Sequence, residues 1–126
     1  MQKSIPDYKL RIIYPECPIQ NLKLKSNGII RFVTLSDILY LKADDNYTNC
    51  LLNDHTLFTK CQTLQSFELV LGNQFYRCHK SYIVNIKYIK EIDKRNHVVI
   101  LNNGQILPFS RKKVKVLEEK MKINTA

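Results

Sequence analysis

The chain lacks several features that mark whole classes of protein. It has no tryptophan and only three glycines among its 126 residues, and it contains no internal repeat. These absences exclude fibrous and low-complexity proteins. No apolar run approaches the roughly 20 residues that a membrane-spanning helix needs, and the N-terminus lacks the apolar core of a secretory signal peptide. We therefore expect a folded cytoplasmic domain without a membrane anchor.

Cysteine is also sparse. The four cysteines are scattered without a Cys-x-x-Cys pair, at Cys17, Cys50, Cys61 and Cys78. This spacing matches neither a zinc site nor a secreted disulfide framework, and it indicates reduced thiols in a cytoplasm. Glycine-rich phosphate loops are missing as well. Although Cys78 adjoins His79, neighbouring side chains of a strand point to opposite faces and cannot act as a catalytic pair. The sequence therefore predicts no enzyme, no metal site and no cofactor.

Positively charged residues are abundant. Twenty Lys and Arg residues against eleven Asp and Glu residues give a formal net charge of +9. On a domain of this size the excess favours a polyanionic partner, namely DNA, RNA or an anionic membrane surface. A charge that serves only solubility is the alternative, and composition alone does not separate the two.

The patterning predicts one domain that is mostly β. Residues 1–18 are interpreted as a lead-in or linker punctuated by prolines, although Asp7–Tyr14 could form a strand. Residues 19–126 form the domain, in which short apolar runs alternate with turn signals such as Asn27-Gly28 and Asn102-Asn103-Gly104. Pro108 places the strand that contains it at a sheet edge.

Two segments have helical spacing. Apolar residues at intervals of three and four predict a helix over Thr63–Leu71, with Gly72 at its C-terminal cap. A closing helix is predicted from Arg111 to Lys122 after a capping Ser110. The stretch Ser81–Ile92 has isoleucine at every third position, which also suits a helix, but its β-branched content favours a strand.

The first candidate site lies at the start of the closing helix. Arg111, Lys112 and Lys113 follow Ser110 directly, in a first turn where the helix dipole and unpaired N–H groups are already positive. Such a cluster is explained if an external anion binds there. A solvated basic helix face is the alternative.

A second basic cluster occupies Tyr76–Tyr82 and contains no acidic residue. Arg77 and Lys80 can neutralise phosphates or reach the acceptor edge of guanine, while His79 and Ser81 can add hydrogen bonds to phosphate. The alternatives are a core or capping role for His79 and a packing role for Tyr82.

Three segments together resemble the LytTR family of bacterial DNA-binding output domains. They are Asp37–Tyr47 (DILYLKADDNY), Phe75–Asn85 (FYRCHKSYIVN) and Gly104–Arg111 (GQILPFSR). Their order and spacing also match, over about residues 20–122. A departure is Phe109, where the family more often has valine.

The resemblance implies a fold and a mode of binding. The fold would be mainly β, with about ten strands in small antiparallel sheets, one short internal helix and a C-terminal helix. Loops would enter successive major grooves of duplex DNA. Asn46 falls in the first DNA-facing loop, and Tyr82 and Asn85 match the motif in structural roles. Lys80 and Arg111 match base-reading positions, Arg77 and His79 match phosphate contacts, and Ser110 and Lys112 flank Arg111.

The resemblance also implies partners. It suggests a monomer in solution that pairs on direct repeats in promoter DNA. Family members often carry an upstream receiver domain or membrane segments, and neither is found here, so we expect either a stand-alone regulator or a fragment of a longer one.

Two other function classes compete. One is an RNA or single-strand binding module that stacks bases on Tyr47, Phe75 or Tyr76, and the other is a basic protein–protein interaction domain.

Overall fold

The structure is a computed structural model that describes residues 21–122, without the side chain of Ser26. The predicted lead-in, its candidate strand Asp7–Tyr14 and Cys17 lie outside the described residues. Within them the chain forms ten strands and two α-helices. The strands are β1 (Asn21–Ser26), β2 (Ile29–Thr34), β3 (Ile38–Asp44), β4 (Tyr47–Leu52), β5 (Leu57–Lys60), β6 (Phe75–His79), β7 (Tyr82–Asn85), β8 (Ile89–Asp93), β9 (Val98–Leu101) and β10 (Ile106–Pro108), and the helices are α1 (Leu64–Val70) and α2 (Arg111–Lys122).

The described strands form three antiparallel sheets. A central sheet has the order β5-β4-β3-β7-β6, a hairpin joins β1 to β2, and a third sheet has the order β10-β9-β8. The mainly β fold expected from the resemblance is thereby confirmed, as is the edge position of Pro108 in β10.

The central sheet separates two hydrophobic cores, because successive side chains of a strand point to opposite faces. Leu41 of β3 and its partner Ile83 of β7 enter the first core, which lies under the β1–β2 hairpin and α1. Their neighbours Tyr40 and Val84 enter the second core, under the third sheet and α2. Both faces of the sheet are thus covered, and its turns are left to project at its ends.

Local sequence signals account for the hairpin and for α2. Leu22 and Leu24 of β1 are buried while the intervening lysines are exposed, as the alternation predicts. Asn27 and Gly28 both have positive φ, 51° and 80°, which is the type I′ turn that suits a two-residue hairpin. Helix α2 has the predicted bounds, and Leu117 is fully buried on its inner face.

One local prediction is wrong, and another is confirmed only in part. Helix α1 does begin after Thr63, whose side chain accepts a hydrogen bond from the Ser66 N–H. It ends, however, on an extended Leu71, and Gly72 does not have positive φ, so the predicted glycine cap is wrong. The stretch Ser81–Ile92 is two strands, β7 and β8, separated by a turn of 3-10 helix over Ile86–Tyr88. The predicted strand is therefore interrupted by that turn.

Candidate nucleic-acid interface

Two predicted site segments meet at one end of the central sheet. The β3–β4 turn carries Asn46, and the β6–β7 turn carries Lys80 and Ser81. Strand β3 is antiparallel to both β4 and β7, so both turns project from the end where β3 finishes. The N–H of Ala43 donates to the carbonyl of Ser81 at 2.9 Å and joins the two segments directly.

The start of α2 joins this end from the second core. The N–H of Ser110 donates to the carbonyl of Cys78 at 2.8 Å, and the Cys78 thiol lies 3.5 Å from the carbonyl of Pro108. Lys80 is two residues from Cys78, and Arg111 is one residue from Ser110. Chain geometry therefore limits the separation of the Lys80 and Arg111 Cα atoms to at most about 17 Å.

The basic side chains at this end differ in how far they are engaged. Lys80, Arg111 and Lys112 are exposed, and none of them forms an ion pair with another described residue. Lys113 is half-buried, with its Nζ 5.9 Å from the centre of the Tyr76 ring. Its N–H donates to the Ser110 carbonyl at 2.9 Å, which forms the first turn of α2. Arg111 and Lys112 are therefore available to an external anion, while Lys113 also covers Tyr76.

Arg77 is largely occupied within the protein. Its guanidinium forms an ion pair with Glu68 of α1 at 3.1 Å and donates to the Lys80 carbonyl at 2.7 Å. The second bond closes the β6–β7 turn, and sequence reasoning did not predict this role. Glu68 carried no signal in the sequence, because only the fold brings α1 beside β6.

His79 also orders this turn. Its Nδ1 accepts a hydrogen bond from the Ser81 N–H at 3.1 Å, and its ring meets Tyr82 edge-on. In a neutral imidazole with Nδ1 as the acceptor, Nε2 carries the proton and can donate. His79 thus combines the predicted capping role with a donor suited to a phosphate oxygen.

Asn46 sits in a different electrostatic setting. It is exposed next to Asp45, which has φ of 58°, and Asp44 and Asp45 are exposed as well. Two carboxylates disfavour a phosphate contact at this turn. An asparagine amide is instead suited to the edge of a base such as adenine.

Comparisons with known proteins show the family of this chain. The family model described as the LytTr DNA-binding domain matches residues 28–122. The chain belongs to the LytTR family of DNA-binding domains. This is a family of bacterial transcriptional regulators and response regulators, and it is not an enzyme family.

Several LytTR relatives are individually similar to the chain. The sensory transduction protein LytT of Bacillus subtilis (strain 168) is 33% identical over 106 residues, which cover 81% of this chain and 44% of LytT. The transcriptional regulatory protein YpdB of Escherichia coli O6:H1 is 29% identical over 91 residues, covering 69% of this chain and 37% of YpdB. The chain spans less than half the length of these curated relatives.

A solved LytTR structure has the same fold. The LytTr DNA-binding domain of a methyl-accepting/DNA response regulator from Bacillus cereus superposes with a TM-score of 0.70 at 29% identity, and the match covers 82% of this chain and 97% of that one.

The aromatic residues offer little to a single-strand reader of nucleic acid. Phe75 is buried, and Tyr76 is half-buried with the Nζ atoms of Lys113 and Lys120 each within 6 Å of its ring centre. Of the three candidates only Tyr47 is exposed, at 48%. One exposed ring is a poor stacking platform, which agrees with membership of the LytTR family.

The described residues give little support for nucleophilic catalysis by Cys78, metal binding or a membrane-spanning helix in this LytTR domain. Burial raises the pKa of the Cys78 thiol to about 12, so it is neutral and a poor nucleophile at physiological pH. The described residues contain no cluster of His, Cys, Asp and Glu that could hold a metal ion. Among the helices of the described residues, none has the length and apolar character to cross a bilayer.

Sequence reasoning missed one further cation at this end. Lys42 of β3 is exposed, and its Nζ lies 5.8 Å from the centre of the Tyr82 ring. It pairs with Tyr82 across β3 and β7, so it lies beside the β6–β7 turn. Only the pairing of β3 with β7, which no local pattern predicts, places Lys42 beside that turn.

Proposed function

We propose that this LytTR domain reads duplex DNA through three segments, the β3–β4 turn, the β6–β7 turn and the start of α2. The observation that carries the proposal is their meeting at one end of the central sheet, with Lys80 and Arg111 exposed and free of ion pairs among the described residues. Turns on a rigid sheet can enter a major groove, where each base pair displays a distinct pattern of donors and acceptors.

Each side chain has a role that suits its chemistry. Lys80 and Arg111 read base edges, since Arg and Lys pair with the O6 and N7 acceptors of guanine, and Asn46 reads a base from the first turn. Arg77, His79 and Lys112 contact phosphates, while Ser81, Ser110 and Lys113 contribute donors at the phosphates beside them.

The partner is promoter DNA with direct repeats. The domain is a monomer in solution and pairs on the two repeats, in the cytoplasm. The matched region covers less than half the length of these relatives, which supports an upstream receiver or sensor domain that controls binding. We propose residues 1–18 as the linker to that domain.

Selection of preferred duplexes from a random pool tests the proposal. A short motif that recurs about one helical turn apart is expected, because contacts made from one face of a duplex are spaced by whole helical turns. Competition with single-stranded oligonucleotides should not displace the selected duplex. Recovery of no motif, or efficient displacement by single strands, would contradict the proposal.

A further inference from the structure

A second basic surface lies beside the three DNA-reading segments. A groove of about 640 Å³ lies where the β1–β2 hairpin meets the end of β5. Its seven lining residues include three lysines and no acidic residue, and the lysines are Lys23, Lys25 and Lys60. We call this feature the lysine groove.

One lysine of the groove is anchored to β1, and the other two extend from that strand. The Lys60 ammonium donates to the backbone carbonyl of Lys23 at 3.3 Å and lies 5.8 Å from the centre of the Phe67 ring. Lys23 and Lys25 are exposed, on the outward face of β1. None of the three forms an ion pair with a described residue. Clustered like charges repel one another, and a bound anion removes that repulsion.

The strand register places the groove at the DNA-reading end of the sheet. Lys60 pairs with Thr48 of β4, Thr48 pairs with Ala43 of β3, and Ala43 is bonded to Ser81. These residues form one row across the sheet. Three strand spacings separate Lys60 from Ser81, a distance of about 14 Å.

This distance matches the dimensions of a duplex. The major groove of B-DNA is about 12 Å wide, so a surface about 14 Å from a base-reading turn reaches the phosphates that border the groove. We propose that the lysine groove binds phosphate groups, and that they belong to the backbone of the duplex that the three segments read. This inference rests on the proposed function and extends the contact to the β1–β2 hairpin.

Salt dependence of DNA binding tests the inference. The variant Lys23→Ala/Lys25→Ala should lose the same factor of affinity for the selected and a scrambled duplex. Its log–log salt slope should be shallower by about 1.8, because each neutralised phosphate contributes about 0.9. Far-UV circular dichroism and urea unfolding would verify that the variant folds.

A matched control removes the same charge elsewhere. Lys87 and Lys90 are exposed. Lys87 lies beyond Asn85, whose amide binds the carbonyl of Ile38 at the opposite end of β3. The variant Lys87→Ala/Lys90→Ala should keep the wild-type slope. If wild-type protein bound no duplex, the proposed function would fail. If it bound and both variants kept its slope, only the lysine groove would be refuted.

Cys61 gives an independent readout, because it lines the groove and is exposed. Cys50 and Cys78 are buried, and burial raises the pKa of each thiol to about 12, so both should alkylate slowly. The selected duplex should slow alkylation of Cys61 in the wild type and much less in Lys23→Ala/Lys25→Ala. Peptide mass spectrometry separates Cys61 from Cys17.

The same alkylation experiment with pyrophosphate in place of DNA distinguishes a DNA backbone from a free anion as the ligand of the groove. Protection of Cys61 by the duplex supports the backbone contact. Protection by pyrophosphate alone would assign the groove to a free anion and overturn the DNA contact, and protection by neither would overturn phosphate binding altogether.

Discussion

The backbone N–H of Ser110 donates to the carbonyl of Cys78, at 2.8 Å. This bond ties the start of α2 to the last part of β6, two segments far apart in the chain. Because Arg111 and Lys80 lie within two residues of its ends, it brings them to one side of the domain. Cys78 is fully buried, so the bond is shielded from water and holds the two basic clusters in a fixed relationship.

Arg111→Ala should cost about 1–3 kcal/mol of affinity for the selected duplex and relax preference at one base position, because a bidentate contact to guanine is lost. Titrations with the selected duplex and its single-base variants would measure both effects. Arg111→Lys is the matched control. It keeps the charge and the salt slope but not the bidentate geometry, so it should relax specificity while retaining affinity for scrambled DNA. An Arg111→Ala protein with unchanged specific affinity would rule out base reading by Arg111.

Lys112→Ala should weaken binding to all duplexes by a similar factor and make the log–log salt slope shallower by about one unit, as expected for one lost phosphate contact. Fluorescence anisotropy over a range of salt concentrations, on selected and scrambled duplexes, would measure the slope. Lys87→Ala at the opposite end of the sheet is the control and should not change it. A loss confined to the selected duplex would show that Lys112 reads bases.

The sequence predicted the elements better than their meeting point. Local signals predict elements because they reflect which side chains become buried. Examples are the alternation around Leu22 and Leu24 and the spacing around Leu117. The pairing of Ala43 with Ser81 and of Ser110 with Cys78 depends on bonds between distant segments, which no local pattern encodes. The resemblance placed Lys80 and Arg111 in one site, and only the fold supplied the geometry.

Local patterns also do not show how a helix ends or which residues of distant segments pack together, and this explains what the sequence analysis missed at Gly72 and Arg77. Gly72 follows α1, but the extended Leu71 ends the helix before a left-handed residue is needed. The engagement of Arg77 by Glu68 arises from packing of α1 beside β6, and a basic cluster read as a sequence motif cannot reveal its acidic neighbour.

Asn85→Ala should destabilise the domain by about 1–3 kcal/mol. The Asn85 side chain is fully buried, and its Nδ2 donates to the carbonyl of Ile38 at 2.9 Å while its Oδ1 accepts from the Lys87 N–H at 3.3 Å. Truncation leaves a buried carbonyl without this donor. Urea unfolding followed by circular dichroism would measure the loss. Asn102→Ala, at an exposed turn position, should cost much less, and equal costs would refute the role of the buried amide.

Glu68→Gln should tighten binding to every duplex by a few-fold. The Glu68 carboxylate holds the Arg77 guanidinium at 3.1 Å, and the carboxylate is 46% exposed, so it competes with DNA phosphate for Arg77 and repels that phosphate. The neutral amide removes the repulsion and weakens the competition, because an amide oxygen accepts a weaker hydrogen bond from a guanidinium than a carboxylate does. The bond from Arg77 to the Lys80 carbonyl keeps the β6–β7 turn closed. Titrations at several salt concentrations would compare Glu68→Gln with Glu91→Gln, an exposed glutamate of β8 that should leave binding unchanged. If Arg77 only stabilises the β6–β7 turn and does not contact phosphate, Glu68→Gln will bind DNA no more tightly than Glu91→Gln. The predicted phosphate contact of Arg77 will then be wrong.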